Sequence, residues 1–256
     1  MDDFSDRTGA ALVVGGSGGI GRAVVRLLAQ RGSNLALTWR TREAAATRLA
    51  DEVASYGVRV STHQLDATDI SACEIVVGAA VERHGGLHTL VHAAGPHIPM
   101  THLSNVEPAA MTEQLLVDVG AFFNVVGPAL PALREAEGSI VAVTTAATSR
   151  FPVRDGLSSA PKAAVEALVR ALAVEEGRYG VRANSVGPGM LTDGMAQRLI
   201  ESGELNDHAL EVTRANIPLR RFGIAHDIAE AVCFLASHRA GFVSGQKLDV
   251  DGGYGA

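Results

Sequence analysis

The sequence has few of the residues that form disulfide frameworks, metal clusters or nucleic-acid surfaces. Its two cysteines, Cys73 and Cys233, lie far apart and outside any CxxC pair, so we expect buried apolar side chains and no metal site. Lysine and arginine number 22 against 28 aspartates and glutamates, and no basic cluster offsets the net charge of −6. This charge pattern argues against a nucleic-acid partner.

Signals for membrane insertion and secretion are also lacking. No uninterrupted apolar run approaches the ~18 residues of a spanning helix, so we expect no membrane segment. Residues 1–6 are acidic and lack the basic-then-apolar order of a signal peptide, which makes a cytoplasmic location the expectation. The 256 residues are 47% hydrophobic and 20% charged, a composition typical of a globular protein with a sizeable core.

The most glycine-rich stretch, Val-Val-Gly-Gly-Ser-Gly-Gly-Ile-Gly, occupies residues 13–21. It follows a strand-like run and leads into a helical pattern, and it satisfies both G-x-G-x-x-G and G-x-x-x-G-x-G. Glycine-rich turns also occur in hairpins and linkers, but a strand before and a helix after favour an anion site at the helix N-terminus. The stretch therefore predicts binding of a dinucleotide pyrophosphate. The predicted contacts are Gly15, Ser17, Gly18, Gly19, Ile20 and Gly21.

Strand and helix patterns alternate along the whole chain. Strands are predicted at Ala10–Val14, Asn34–Trp39, Arg59–Leu65, Thr89–His92, Ser139–Thr144, Arg182–Val186 and Gln246–Val250. Helices are predicted at Ile20–Gln30, Thr41–Tyr56, Ile70–His84, between Pro108 and Ala136, at Ser159–Tyr179 and at Ile224–Ser237. Such alternation predicts an α/β doubly wound parallel sheet, a Rossmann fold, and we see no linker that would divide residues 1–256 into two domains.

The residues after the second strand bear on the choice between NAD and NADP. NAD sites commonly place a carboxylate there, whereas residues 38–42 offer Arg40 and Arg42 and no carboxylate. A guanidinium would attract a 2′-phosphate, so NADP is favoured over NAD, although both arginines would also suit a solvated helix start. After the third strand, Asp66 could accept a hydrogen bond from the adenine amino group; alternatively, Asp66 or Thr68 caps the next helix.

Together these segments resemble the short-chain dehydrogenase/reductase family over almost the whole chain. The glycine loop looks like its cofactor loop, His-Ala-Ala-Gly at 92–95 like its Asn-Asn-Ala-Gly stretch, and residues 181–189 like the segment beside the nicotinamide. Residues 217–223 and 248–254 resemble its C-terminal signature. The resemblance implies further cofactor contacts, namely Asp66, Ala67, Ala93, Ala94, Gly95, Lys162, Pro188, Gly189 and Leu191. It also implies association as a homotetramer or homodimer through the two longest helices.

The catalytic positions depart from the family pattern. Its reductases use an Asn, a Ser and a Tyr-x-x-x-Lys pair; Lys162 matches, whereas Ser158 replaces the Tyr, Thr145 the Ser and Asp118 the Asn. Thr145 keeps a hydroxyl, but an alkyl hydroxyl at 158 cannot act as the acid–base group that a phenol provides. The three tyrosines lie elsewhere, at positions 56, 179 and 254.

A Ser-x-x-x-Lys pattern is similar to that of the dienoyl-CoA reductase branch of the family. We therefore expect reduction of an activated C=C bond in an acyl thioester or enone, with Lys162, Thr145 and Ser158 stabilising the oxyanion. The proton would come from water, His97 or Asp118, although His97 also suits an exposed loop. Two alternatives stay open: carbonyl reduction with a substitute acid, and a non-catalytic NADP-binding protein.

Two further expectations concern the start of the catalytic helix and a substrate lid. Because proline is tolerated in the first helical turn, Pro161 is expected to mark the helix start, and Ser158 or Ser159 to act as its N-cap. Residues 190–218 are expected to form a lid, with Thr192 as an uncertain cofactor contact. Its apolar inner face would comprise Leu199, Ile200, Leu205, Leu210 and Ile217.

Overall fold

A seven-stranded parallel sheet forms the centre of the molecule. The computed structural model describes residues 3–96, 98–193 and 207–256. The strands are β1 (Ala10–Val14), β2 (Leu35–Trp39), β3 (Val60–Gln64), β4 (Leu87–His92), β5 (Ser139–Val143), β6 (Arg182–Pro188) and β7 (Lys247–Val250). Their order is β3-β2-β1-β4-β5-β6-β7, and every neighbouring pair is parallel. The predicted single-domain doubly wound sheet is confirmed.

Helices cover both faces of the sheet. They are α1 (Gly19–Gln30), α2 (Glu43–Ala54), α3 (Ile70–His84), α4 (Pro108–Leu115), α5 (Ala121–Glu135), α6 (Gly156–Glu176), α7 (Asp207–Asn216) and α8 (Ala225–Ala236). A π-helical turn, Leu116–Gly120, joins α4 to α5, so the stretch predicted as one long helix contains an irregular turn near its middle. Such turns often occur at functional sites.

Each face of the sheet has its own apolar core. Neighbouring residues of the central strand β1 serve opposite sides: Val13 packs in the core with α1, α2 and α8, and Leu12 in the core with α3, α5 and α6. All five residues of β1 are buried. A strand buried on both faces reads as a continuous apolar run, which is why Ala10–Val14 was recognisable from sequence.

The helix Pro108–Glu135, which continues through the π-helical turn, has 28 residues and contains an 18-residue window with a mean hydropathy of 1.6, which is enough to cross a membrane by length and composition alone. The helix contains no uninterrupted apolar run of that length, because Asp118 and Asn124 lie within it. In the fold, Phe122, Val125 and Leu133 of this helix are fully buried in the core beneath the sheet. It is thus placed as a core helix of the α/β domain, while Leu116 and Phe123 are exposed on its other face.

We predict that alanine at Gly21 lowers stability and weakens NADPH binding, because its methyl group would collide with the carbonyl of Gly15 in the cofactor loop. Gly78, exposed within α3, is a matched control with open space around it. Gly78→Ala should raise the free energy of unfolding by about 0.5–1 kcal/mol, because alanine favours a helix more than glycine does. Urea unfolding and NADPH fluorescence titration measure both effects. Equal behaviour of Gly21→Ala and Gly78→Ala would contradict the prediction.

Candidate active site

The glycine loop lies against the end of the adjacent strand β4. Gly15 has a φ of +79°, and a Cβ there would lie 2.8 Å from the backbone nitrogen of Ala94. The N–H of Gly15 donates to the Thr38 hydroxyl at the end of β2 (3.1 Å), and Gly18 N–H donates to the Gly15 carbonyl (2.9 Å). The loop thus brings the ends of β1, β2 and β4 together, and α1 begins directly after it at Gly19.

The other residues of the loop that are predicted to contact the cofactor lie in the turn and at the start of α1. Ser17 is buried in the turn, and Gly18 is the N-cap of α1 without any side chain to satisfy the helix N–H groups. Ile20 packs against the core beneath. Backbone donors at the start of α1, next to a glycine-rich turn, are what an anionic pyrophosphate requires.

The ends of β2 and β3 carry the groups predicted to select the cofactor. Arg40 is exposed directly after β2, and its carbonyl accepts a hydrogen bond from Gln64 (3.2 Å). Asp66 Oδ1 accepts from the backbone N–H and the hydroxyl of Thr68 (3.0 and 2.7 Å), and these bonds lower the pKa of Asp66, with a smaller contribution from Arg40. Asp69 instead caps α3, so the alternative of a helix cap at Asp66 or Thr68 is wrong.

The strongest contact among the predicted catalytic residues joins α6 to the π-helical turn. Lys162 Nζ lies 2.6 Å from Asp118 Oδ1, and Asp118 Oδ2 accepts a hydrogen bond of 2.6 Å from Gln114 Nε2. The Asp118 side chain is 0% exposed and that of Lys162 13%. A buried carboxylate requires such partners, since an unpaired charge in the interior costs several kcal/mol.

Gln114 was not among the sequence-derived candidates. It lies four residues before Asp118, and this i, i+4 spacing on one helical stretch was a usable signal. Without knowledge that Asp118 would be fully buried, however, nothing in the sequence required a second partner for its carboxylate.

The end of β4 lies beside this ion pair. A Cβ at Gly95 would lie 3.5 Å from Lys162 Nζ and 3.9 Å from Asp118 Oδ1. His92 is buried, its ring meets Phe122 edge-on, and burial lowers its pKa to about 3, with a smaller contribution from Lys162. Its Nε2 is a buried polar atom without a hydrogen-bond partner among the described residues. His92 is therefore neutral at physiological pH.

The catalytic helix begins earlier than the sequence suggested. Helix α6 starts at Gly156 with Asp155 as its N-cap, so Pro161 lies inside the second turn and does not mark the start. The cap assignments for Ser158 and Ser159 are also wrong: Ser158 is the third helical residue, and the Ser159 hydroxyl donates back to the Asp155 carbonyl (2.9 Å). A proline here is tolerated because only the Leu157 carbonyl loses a helical partner.

Thr145 and the segment after β6 complete the described part of the site. The Thr145 hydroxyl accepts from Ala147 N–H (3.1 Å) and caps a 3₁₀ turn, Ala146–Thr148, directly after β5. Pro188 ends β6, the Gly189 N–H donates to the Val250 carbonyl (3.0 Å), and buried Leu191 forms an isolated bridge to Gly223.

Two expectations, His97 and the lid, concern residues that the structure does not describe or describes only in part. His97 and residues 194–206, which are nearly half of the predicted lid, lie outside the described residues. Within the rest of that lid, Thr192 N–H donates to the Gly223 carbonyl (2.9 Å) and Ile217 is buried.

The carbonyl of Ala67, another predicted cofactor contact, accepts a hydrogen bond from Asn124 of α5 (3.1 Å). Among the described residues no group of three or more potential metal ligands occurs.

Comparisons with known proteins agree with this arrangement. A family model described as Enoyl-(Acyl carrier protein) reductase matches residues 14–255. The chain is 32% identical to the uncharacterized oxidoreductase YohF of Escherichia coli K12, covering 95% of this chain and 94% of that protein. It is 31% identical to the 3-oxoacyl-[acyl-carrier-protein] reductase FabG of Staphylococcus aureus Mu50, covering 96% and 98%.

A solved structure shows the same likeness in three dimensions. A short-chain dehydrogenase from Burkholderia cenocepacia J2315, in complex with NADP, superimposes with a TM-score of 0.89 at 29% identity, covering 98% of this chain and 100% of that chain. The parallel sheet, the glycine loop and these matches over nearly the full length agree. The chain belongs to the short-chain dehydrogenase/reductase family of oxidoreductases.

Proposed function

We propose that this protein is an NADPH-dependent reductase of an activated C=C bond, with an enoyl thioester as the substrate class. One observation carries the proposal: Ser158 lies one helical turn before Lys162, at the position where reductases of the family carry a tyrosine. Residues 144–162 contain no tyrosine that could take its place.

The chemistry of the two reductions explains why this position discriminates between them. Reducing a ketone places the new charge on an oxygen that must itself receive a proton, and a phenol near a lysine can supply it. Reducing a C=C bond conjugated to a thioester leaves the charge on the carbonyl oxygen while the proton goes to carbon. Hydroxyl and ammonium donors then suffice at the oxygen, and Thr145, Ser158 and Lys162 are of that kind.

The residues present fit NADP(H). A Cβ at Gly15 would collide with the backbone of Ala94, so the loop packs directly on the end of β4, and Gly18 and Gly19 leave the N–H groups at the start of α1 without a side chain beside them. The pyrophosphate would be held there, the adenine by Asp66 and the 2′-phosphate by Arg40; Gly95 and Lys162 would border the nicotinamide. When bound, NADPH supplies the hydride. The complexed Burkholderia relative supports the choice of NADP.

Carbonyl reduction with a different acid is the second candidate, because a similar protein is named a 3-oxoacyl-[acyl-carrier-protein] reductase. That relationship favours an acyl thioester substrate for either reaction. It does not replace the phenol, however, and we therefore rank C=C reduction first. A non-catalytic NADP-binding role would require the intact Lys162–Asp118 pair to have no catalytic use.

We predict that the protein oxidises NADPH with crotonyl-CoA and not with acetoacetyl-CoA or a quinone, measured by absorbance over an overnight incubation. Ser158→Tyr restores the phenol one turn before Lys162 and should add acetoacetyl-CoA reduction, whereas Ser158→Ala should not. Turnover of acetoacetyl-CoA alone by the unaltered protein would establish carbonyl reduction instead. Tight NADPH binding without turnover of any substrate would support the non-catalytic alternative.

We predict that Arg40→Asp weakens NADPH binding by about 10–100-fold and leaves NADH binding nearly unchanged, since a charged hydrogen bond to the 2′-phosphate contributes about 1.5–3 kcal/mol. Arg48→Asp makes the same charge change at an exposed position along α2 and is the matched control. Fluorescence titration with both nucleotides gives the dissociation constants. An equal loss of NADPH affinity in both variants would refute a specific contact at Arg40.

We also propose that the protein is a homo-oligomer formed through the outer faces of α4–α5 and α6. Exposed apolar side chains on these helices support this, namely Leu115, Leu116, Phe123 and Val174. Light scattering should give a dimer or tetramer, and Phe123→Glu should shift it towards the monomer. Thr47→Glu, on exposed α2, is the control and should leave the mass unchanged. A monomeric unaltered protein would contradict the proposal.

A further inference from the structure

The site as described lacks an assigned donor for the proton that goes to carbon. Both carboxylate oxygens of Asp118 are already engaged, one by Lys162 and the other by Gln114. Asp118 therefore serves to hold Lys162 in place, and neither of its oxygens is left for the substrate. Ser158 carries an alkyl hydroxyl, which is too weak an acid for the task.

Asp155 lies on the face of α6 that carries the catalytic side chains. It is the N-cap of the helix, so Asp155, Ser158 and Lys162 have the spacing i, i+3 and i+7. Residues at this spacing lie one above another along a single helical face. By this spacing Asp155 shares a helical face with Ser158 and Lys162 and lies one turn before Ser158.

The Asp155 carboxyl group is not used to cap the helix. N-cap aspartates normally accept hydrogen bonds from the first-turn N–H groups, but this side chain makes no such bond. Its backbone carbonyl accepts the first intrahelical bonds, from the N–H groups of Ser158 and Ser159 (3.0 and 2.8 Å), as at any N-cap. Within the described parts of the chain the carboxyl group has no hydrogen-bond or ion-pair partner, and the residue is half-buried.

The surrounding loop holds Asp155 in place. Arg154 has a φ of +73°, its guanidinium donates to the Met100 carbonyl (2.6 Å), and its own carbonyl accepts from Thr101 N–H (3.0 Å). Leu103 packs so closely on Gly156 that a Cβ there would lie 2.7 Å from it. The start of α6 is thereby tied to the segment that follows β4, on the side where Gly95 borders Lys162.

The charges around Asp155 leave its carboxyl group able to hold a proton. Burial raises its pKa to about 6, and no neighbouring charge contributes to that shift. On α6, the Lys162 ammonium is paired with Asp118; on the adjoining loop, Arg154 binds a backbone carbonyl and His102 is exposed. A group that titrates near the working pH is suited to general acid catalysis.

We propose that Asp155 is the general acid of this site and protonates the substrate carbon next to the thioester carbonyl. The inference rests on the proposed C=C reduction. With NADPH bound, the cofactor would supply the hydride for the new C–H bond at the β carbon, and the electron pair of the broken C=C π bond would pass to the thioester oxygen to give an enolate. The Asp155 O–H then breaks as its proton forms the second C–H bond, and solvent reprotonates the carboxylate. The substrate is reduced by two electrons and NADPH is oxidised to NADP⁺.

The test measures kcat for crotonyl-CoA and NADPH across pH 5–9, together with α-deuterium incorporation in D₂O. For the unaltered protein, kcat should fall as pH rises through about 6, because the acid form is lost. Deuterium should reach the α carbon from one face of the enolate only, which gives a product of single configuration at that carbon. Asp155→Asn should lower kcat by about 10²-fold or more, remove that pH dependence and give deuterium on both faces, with KM and NADPH affinity unchanged. Asp155→Glu should recover part of kcat and its pH dependence.

Asp69→Asn is the matched control, because Asp69 is also an N-cap but uses its carboxylate to bind Ala72 N–H (3.0 Å). Its kcat profile and stereochemistry should equal those of the unaltered protein. Normal turnover with one-faced deuteration in Asp155→Asn would overturn the assignment while leaving C=C reduction intact. Absence of crotonyl-CoA turnover in the unaltered protein would overturn the proposed function, and this assignment with it.

Discussion

The buried ion pair between Lys162 and Asp118 is the contact on which the rest of the site depends. It joins α6 to the π-helical turn between α4 and α5, and Gln114 fixes the second carboxylate oxygen. Breaking such a pair by removing one partner costs about 3–5 kcal/mol, because the other charge is left buried and alone. The pair therefore fixes the lysine beside Gly95, at the end of β4.

The parallel sheet explains why residues so distant in sequence meet at this point. All seven strands run in one direction, so the loops that follow β1, β4 and β5 leave from the same edge. Ligands of such sheets bind outside the carboxyl ends of the strands, where the strand order reverses. Here the order reverses between β1 and β4, and Gly15 and Ala94 meet there in backbone contact. The parallel topology thus brings the glycine loop and the end of β4 together at one edge of the sheet.

The sequence predicted most of this fold because its signals were local. Continuous apolar runs marked the buried strands, and a cluster of glycines marked the cofactor loop. The π-helical turn, the true start of α6 and the role of Gln114 were not predictable in the same way. Each depends on packing between α4, α5 and α6, which moves Pro161 into a helix interior and buries Asp118 completely. Local propensity carries no information about such contacts.

Loss of the phenol does not leave the site without catalytic groups; it separates two tasks that one side chain performs elsewhere in the family. Charge developing on oxygen can be met by the donors around Lys162, which remain in place. Delivery of a proton then requires a group with a pKa near neutrality, located away from that oxygen. The Asp155 carboxyl group, one turn before Ser158, has no hydrogen-bond partner among the described residues and meets this requirement. The Asp118 carboxylate does not, because Lys162 and Gln114 already bind both of its oxygens. A separate oxyanion site and acid suit addition across a C=C bond, in which the charge and the proton end on different atoms.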